Sequence, residues 1–336
     1  MDIEKTRRYA KMMLKIRVCR LWRMPATLPA TTPPHRIGVD LGGTKTEIVV
    51  LDTQHRCWWR ERTATPSDSY AAIVETVVQL VAQARHRFDL PHDVPVGIGI
   101  PGCIDTRTQR VRGANTQVLN GQPLQIDVQQ RLGCRVEVAN DANCLALSEA
   151  VDGAAAGAGL TFAAILGTGC GAGLALGTRV WTGRHALAGE WGHNPLPWPS
   201  AQELDIEPCW CGQTGCLEGW LSGPGFAADH ARVTGQRCSP EAIVAAMRSG
   251  DANARASFLR YTDRLARGLA HIINVLDPEV IVLGGGMSRV DEIYTQVPAL
   301  LSRHTFTRPI DTPLRPARHG DSSGVRGAAW LCWDPI

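Results

Sequence analysis

The chain has 336 residues, 44% apolar and 20% charged, enough to fill a sizeable core and to divide into two domains. No apolar run is long enough to cross a bilayer as a helix. The net charge of +3 is uneven: residues 1–36 carry nine Lys/Arg against Asp2 and Glu4, or +7, leaving about −4 (3 minus 7) on the other 300, an ordinary globular body with no sign of a nucleic-acid or membrane partner.

Residues 1–36 read as a disordered leader, with a basic arm for nucleic acid or membrane as the alternative. Their first part is basic, and Met24-Pro-Ala-Thr-Leu-Pro-Ala-Thr-Thr-Pro-Pro34 suits neither a helix nor a central strand. Charges interrupt Met12 to Arg20, so the segment lacks the apolar stretch of a signal peptide. The 11 cysteines are odd in number and mostly scattered, which indicates a reducing cytoplasm rather than a disulfide framework.

Ile37 to Asp52 predicts strand, glycine turn, strand, with Gly42-Gly43-Thr44-Lys45 at the turn. Such glycines let backbone N–H groups approach an anion. Thr44 follows Gly43 where a Walker A loop needs lysine, and no helix follows as in a dinucleotide fingerprint. Asp40 could orient a hydrated Mg²⁺, although a plain hairpin explains the segment equally well. A strand over Arg56–Arg60 and an amphipathic helix over Ser69–Phe88 come next. Val94 to Cys103 reads as a buried strand entering a loop. Asn115 is a turn residue by default, and a substrate ligand only if its loop faces the same cleft as the other candidates.

Arg135 to Ala139 alternates as a strand and Ala142 to Ala150 favours a helix. Asp141 at their junction could cap the helix or act as a general base, with Asn140 holding a substrate hydroxyl beside it. Thr161 to Leu176 repeats the opening design around Gly167-Thr168-Gly169-Cys-Gly171. Two such hairpins with a βα segment between them predict a duplicated fold whose halves grip a polyphosphate. Ile281 to Gly286, including Gly285, adds a third strand-to-glycine edge.

Cys209, Cys211 and Cys216 lie within eight residues among glycines, the pattern of a structural zinc knuckle, with His193 the nearest fourth ligand. An unmetallated cluster, or a site closed by another residue, is the alternative. Glu190 and Glu218 flank this group. Helices are expected over Pro240–Met247 and Ala256–Leu276, the latter ending before Pro278, and a last small-residue helix lies near the C-terminus.

Gly38-Val-Asp-Leu-Gly-Gly-Thr-Lys45, Asn140-Asp-Ala-Asn143, Gly167-Thr-Gly169, Gly189-Glu-Trp-Gly-His193 and Cys209-x-Cys211-x4-Cys216-x-Glu218 occur in this order. Together they resemble the ROK family of bacterial sugar kinases and repressors over residues 37–333. Leu119–Pro123, Glu190–Trp198 and His319–Trp330 look most like its manno(fructo)kinase branch, with the N-acetylglucosamine kinase branch as rival. The resemblance implies a duplicated actin/hexokinase-like (ribonuclease H-like) α/β fold with an interdomain cleft. A small domain over 37–139, completed by 320–336, would face a larger one over 140–319.

The resemblance further implies an ATP- and Mg²⁺-dependent kinase acting on the 6-hydroxyl of a hexose, with fructose preferred and N-acetylglucosamine or glucose as alternatives. Asp141 would be the base, and Asn115, Asn140, Glu190, His193 and Glu218 would bind sugar. Gly38, Asp40, Gly42, Gly43, Thr44, Lys45, Thr168, Gly169, Gly171 and Gly285 would serve the nucleotide. His193, Cys209, Cys211 and Cys216 would hold Zn²⁺, and the family suggests a homodimer. A repressor would need a helix-turn-helix module, for which the leader leaves no room.

Overall fold

The structure is a computed structural model that describes residues 35–204 and 206–333; the expected leader, apart from His35 and Arg36, lies outside the described residues. Those two residues belong to the body, which moves the boundary forward. They begin strand β1 (His35–Leu41), His35 packing edge-on against Trp58 at 4.5 Å and the Arg36 guanidinium lying 4.3 Å over Trp330.

Strands β2 (Lys45–Asp52) and β3 (Cys57–Ala64) complete an antiparallel meander with β1. Helix α1 (Tyr70–Phe88) is capped by Ser69, whose side chain accepts from the Ala72 amide, and it buries Ile73, Val77, Leu80, Val81 and Ala84. The wholly buried β4 (Val96–Ile100), the short hairpin β5 (Cys103–Ile104) and β6 (Val111–Arg112), and helix α2 (Leu124–Leu132) lead to β7 (Val136–Asn140). Helix α3 (Asp141–Asp152) follows β7 directly.

The second half restarts with β8 (Leu160–Leu166), β9 (Cys170–Leu176) and β10 (Arg179–Val180). Helices α4 (Glu218–Leu221), α5 (Gly223–Thr234), α6 (Pro240–Arg248) and α7 (Ala252–Leu276) precede β11 (Val280–Gly284), α8 (Glu292–Leu301), β12 (Leu314–Pro316) and α9 (Ser323–Trp330). Helix α7 begins four residues earlier than the apolar spacing predicts. Asp251 caps it by accepting from the Ala254 amide at 2.7 Å, a polar signal that periodicity does not register.

The two five-stranded sheets have the same construction, in the orders β3-β2-β1-β4-β7 and β10-β9-β8-β11-β12. In each, the first three strands are antiparallel neighbours and the last two add in parallel. This is the duplicated actin/hexokinase-like fold expected from the sequence. Each sheet has its own core, one around Ile37, Val39, Ile98 and Val136, the other around Phe162, Trp191, Leu265 and Leu283. Both sheets belong to the unit Pro33–Ile336.

Helices α3 and α9 fasten the halves together. A Cβ on Gly97 would come within 1.7 Å of the Ala328 carbonyl oxygen, and one on Gly327 within 1.7 Å of the Cys144 oxygen. The C-terminal helix thus rests directly on β4 and on α3, and only hydrogen side chains permit that approach. Among the described residues no helix is long and apolar enough to cross a membrane.

Candidate active site and metal centre

Parallel strands β1, β4 and β7 end side by side, and their carboxyl ends bring Asp40 and Asp141 near one another, at the edge where open α/β sheets bind ligands. Asp141 is the first residue of α3, and the capping duty falls on Asn140. The Asn140 Oδ1 accepts from the Ala142 amide at 2.9 Å, and its amide donates to the Gly102 carbonyl at 3.2 Å. One Asp141 oxygen also accepts from Ala142, at 2.8 Å.

Burial raises the Asp141 carboxyl from 3.8 to about 6, and the charge of Glu190 adds to the rise. Asp40 is raised further, to about 7, by burial first and then by the charges of Asp141 and Glu47, with Arg62 and Arg60 opposing. Arg60 and Arg62 both bind Glu47 on the neighbouring strand. A carboxylate poised near neutrality is suited to taking a proton.

The first glycine turn is held by Gly42, whose amide donates to the Lys45 carbonyl, and by the Thr65 hydroxyl, which donates to the Gly42 carbonyl at 2.8 Å. Gly43, Thr44 and Lys45 are exposed at its tip. Gly38 lies away from the turn, in mid-strand, where a Cβ would come within 2.3 Å of the Val325 oxygen; the structure gives this glycine a packing reason beneath α9.

The second turn is closed by the Gly167 amide donating to the Gly169 carbonyl at 3.0 Å, and Thr168 is exposed on it. Gly285 has φ of +84°, and a Cβ there would meet the Leu166 carbonyl at 2.6 Å. The end of β11 can therefore lie against the turn only if residue 285 is glycine. Gly171 sits on β9 behind the turn, its carbonyl accepting from the Trp191 indole at 3.1 Å.

Beside this turn opens a cavity of about 720 Å³ lined by Gly167, Thr168, Pro224, Val244, Met287 and Arg289. Of these, sequence reasoning singled out only the turn. The rest come from three separate segments that look locally like an ordinary helix start, an amphipathic helix face and a loop after a strand.

His193, Cys209, Cys211 and Cys216 converge, with all four ligand atoms within 4.8 Å of one another. Cys209 Sγ stands 3.6 Å from His193 Nδ1, and Cys211 Sγ 3.6 Å from Cys216 Sγ. A tetrahedral zinc ion with ordinary Zn–S and Zn–N distances requires separations of ~3.6 Å for S···N and ~3.8 Å for S···S. The donor set therefore fits Zn²⁺, and it would close the shell with three sulfurs and Nδ1, leaving Nε2 of His193 unused by the metal.

Glu218, two residues beyond Cys216, is placed on the second glycine turn rather than on a solvated surface. Its Oε2 accepts from the Cys170 amide at 2.9 Å and its Oε1 from the Trp210 indole at 2.7 Å. Glu190 is exposed just before His193, and its charge reaches Asp141. Asn115 is exposed in the loop after β6, between the buried Ala114 and Thr116. The Asn120 side chain holds that loop, its oxygen accepting from the Ala114 amide and its nitrogen donating to the Ala114 carbonyl, each at 2.9 Å.

A model of the ROK family matches residues 36–334. The N-acetyl-D-glucosamine kinase of Salmonella schwarzengrund is 40% identical over 298 residues, covering 88% of this chain and 98% of that protein. Among solved structures, the ROK hexokinase from Thermus thermophilus aligns with a TM-score of 0.78 at 28% identity, over 88% of this chain and 97% of that one. The ROK family glucokinase from Streptomyces griseus, in complex with glucose and AMPPNP, aligns with a TM-score of 0.71 at 30% identity, over 88% and 98%. The chain belongs to the ROK family, and it stands there among sugar kinases.

Proposed function

We propose that this sugar kinase transfers the γ-phosphoryl group of ATP to the 6-hydroxyl of N-acetylglucosamine. The observation that carries the choice of sugar is the 40% identity to an N-acetyl-D-glucosamine kinase across 98% of that protein's length. The segments that favoured fructose have structural duties here. Asn120 staples its own loop. Trp191 and Leu196 are core residues, and the Pro197 and Trp198 carbonyls accept from Arg267. Residues 323–330 form the packing helix α9. Apart from Glu190 and His193, similarity at such positions says little about which sugar is bound.

Asp141 is assigned as the base that takes the proton from the sugar's primary hydroxyl, because its carboxyl stands where β7 gives way to α3 and burial holds it near neutrality. The Asn140 side chain meets the Ala142 amide, the Gly102 carbonyl and the Asp141 carboxyl. Its contribution is accordingly to fix Asp141, in addition to any hydroxyl it meets. Glu190, His193 through Nε2, Glu218 and Asn115 are assigned to the other hydroxyls.

The cavity beside Gly167–Gly169 is assigned to the nucleoside, with Gly42, Gly43, Thr44 and Lys45 facing the phosphates from the first turn. Asp40 would orient Mg²⁺, which neutralises charge on the transferring phosphoryl group when bound. Zn²⁺ at the cysteine cluster would be structural, fixing the tautomer of His193. Transfer then depends on positioning and charge neutralisation rather than on covalent chemistry. The test is kcat/KM with saturating ATP for N-acetylglucosamine, glucose, mannose and fructose. A preference for fructose would return the assignment to the manno(fructo)kinase branch.

A further inference from the structure

The knuckle carries a residue to which sequence reasoning gave no role. Trp210 stands between Cys209 and Cys211 and is 71% exposed, an unusual place to leave an indole unless its two faces or its N–H are used. Both are engaged. The ring packs edge-on against His193, with centroids 4.9 Å apart and planes at 89°, and its Nε1 donates to Glu218 Oε1 at 2.7 Å. One exposed side chain thereby touches two of the groups assigned above to the sugar.

We infer that Trp210 is a positioning residue for the sugar site, orienting Glu218 and His193 from the tip of the knuckle. This rests on the reading of those two residues as sugar ligands. A glutamate has three rotatable bonds, and one hydrogen bond does not fix the plane of its carboxylate. Here the two oxygens are held by donors from different elements, the Cys170 amide of β9 and the Trp210 indole. Together they set the direction of the remaining lone pairs.

The backbone that carries the indole is held in place on both sides. The Cys209 amide donates to the Gln213 carbonyl and the Gly212 amide to the Cys209 carbonyl, closing a tight loop around residues 209–213. That loop is tied to the His193 segment as well, since Leu217 donates to the Asn194 carbonyl and Pro195 bridges to Cys216. Trp210 and Glu218 also share the wall of a cavity of about 680 Å³ that reaches Thr168 on the second glycine turn. The indole therefore closes the outer side of the groups it orients.

The experiment compares Trp210→Phe, Trp210→His, Glu218→Gln and the double variant Trp210→Phe/Glu218→Gln. It measures N-acetylglucosamine binding by calorimetry without ATP, KM for sugar and ATP, and zinc content. Trp210→Phe keeps the edge-on ring and loses the donor. Its sugar Kd should rise about five- to tenfold, with KM for ATP within about twofold and zinc retained. Trp210→His, which restores a ring N–H, should recover part of the loss, and the double variant should bind no worse than Glu218→Gln alone.

Unchanged sugar binding in Trp210→Phe beside weakened binding in Glu218→Gln would overturn the inference while leaving the sugar site intact. Loss of zinc in Trp210→Phe would overturn it too, because the indole would then merely support the knuckle. If Glu218→Gln binds sugar normally, the assignment of Glu218 fails, and the inference about Trp210 fails with it.

Discussion

Replacing Asp141 by asparagine should separate chemistry from stability, with opposite signs. The substitution keeps shape and an acceptor for the Ala142 amide, which Asn140 also serves at 2.9 Å, so α3 remains capped. What it removes is a carboxylate whose folded-state value of about 6 lies above the ordinary 3.8. That rise corresponds to at most ~3 kcal/mol, and discounting for the partial exposure of Asp141 leaves ~1–2 kcal/mol.

The sign follows from proton uptake. Between pH ~4 and ~6 the folded protein holds a proton that the unfolded chain has released, so wild-type stability falls as pH rises through that window and stays reduced above it. At pH 8 Asp141→Asn should therefore melt ~2–4 °C higher than wild type, and the advantage should shrink towards pH 4. Turnover should fall by about a hundredfold to ten-thousandfold through loss of the base. A coupled ATP assay and thermal melts at pH 8 and pH 4 provide both readings. Near-normal kcat would refute the assignment of the base, and a lower melting temperature at pH 8 would refute the buried-charge argument.

Other consequences follow from the same geometry. The base works only when ionised, so kcat/KM should rise with pH to a plateau above about 6, the value set mainly by burial of Asp141; an acid limb near 4 would mean an unperturbed carboxyl. Protein purified without chelator should contain about one zinc per chain, and Cys211→Ser should lose metal and thermal stability together; metal analysis without zinc counts against the knuckle. Gly285→Ala forces a side chain into a positive-φ position 2.6 Å from the Leu166 carbonyl, so the second turn must shift at a cost of ~1–3 kcal/mol. It should raise KM for ATP more than KM for sugar, and an equal effect on both would place the nucleoside elsewhere.

The architecture was legible because its signals are local. Alternating strands meet at glycine turns, Ser69 announces α1, and Asp277-Pro278 stops α7. The convergence of Cys209, Cys211 and Cys216 was legible for the same reason, since three cysteines in eight residues lie close by chain connectivity. The cavity beside the second turn was not, because Pro224, Val244 and Met287 converge only through tertiary packing. Gly38 and the Leu119–Pro123 segment show that motif residues also carry structural duties which the motif itself does not reveal, seating a helix and stapling a loop. Trp210 gave no signal at all, because an exposed tryptophan between two cysteines acquires meaning only beside His193 and Glu218.

The central claim is tested most directly by a competition. Equimolar N-acetylglucosamine, glucose, mannose and fructose are incubated with limiting ATP and Mg²⁺, and the products are identified by phosphorus and carbon NMR. The account predicts N-acetylglucosamine 6-phosphate as the dominant product. Fructose 6-phosphate in excess, phosphorylation at another hydroxyl, or ATP left unconsumed would contradict it.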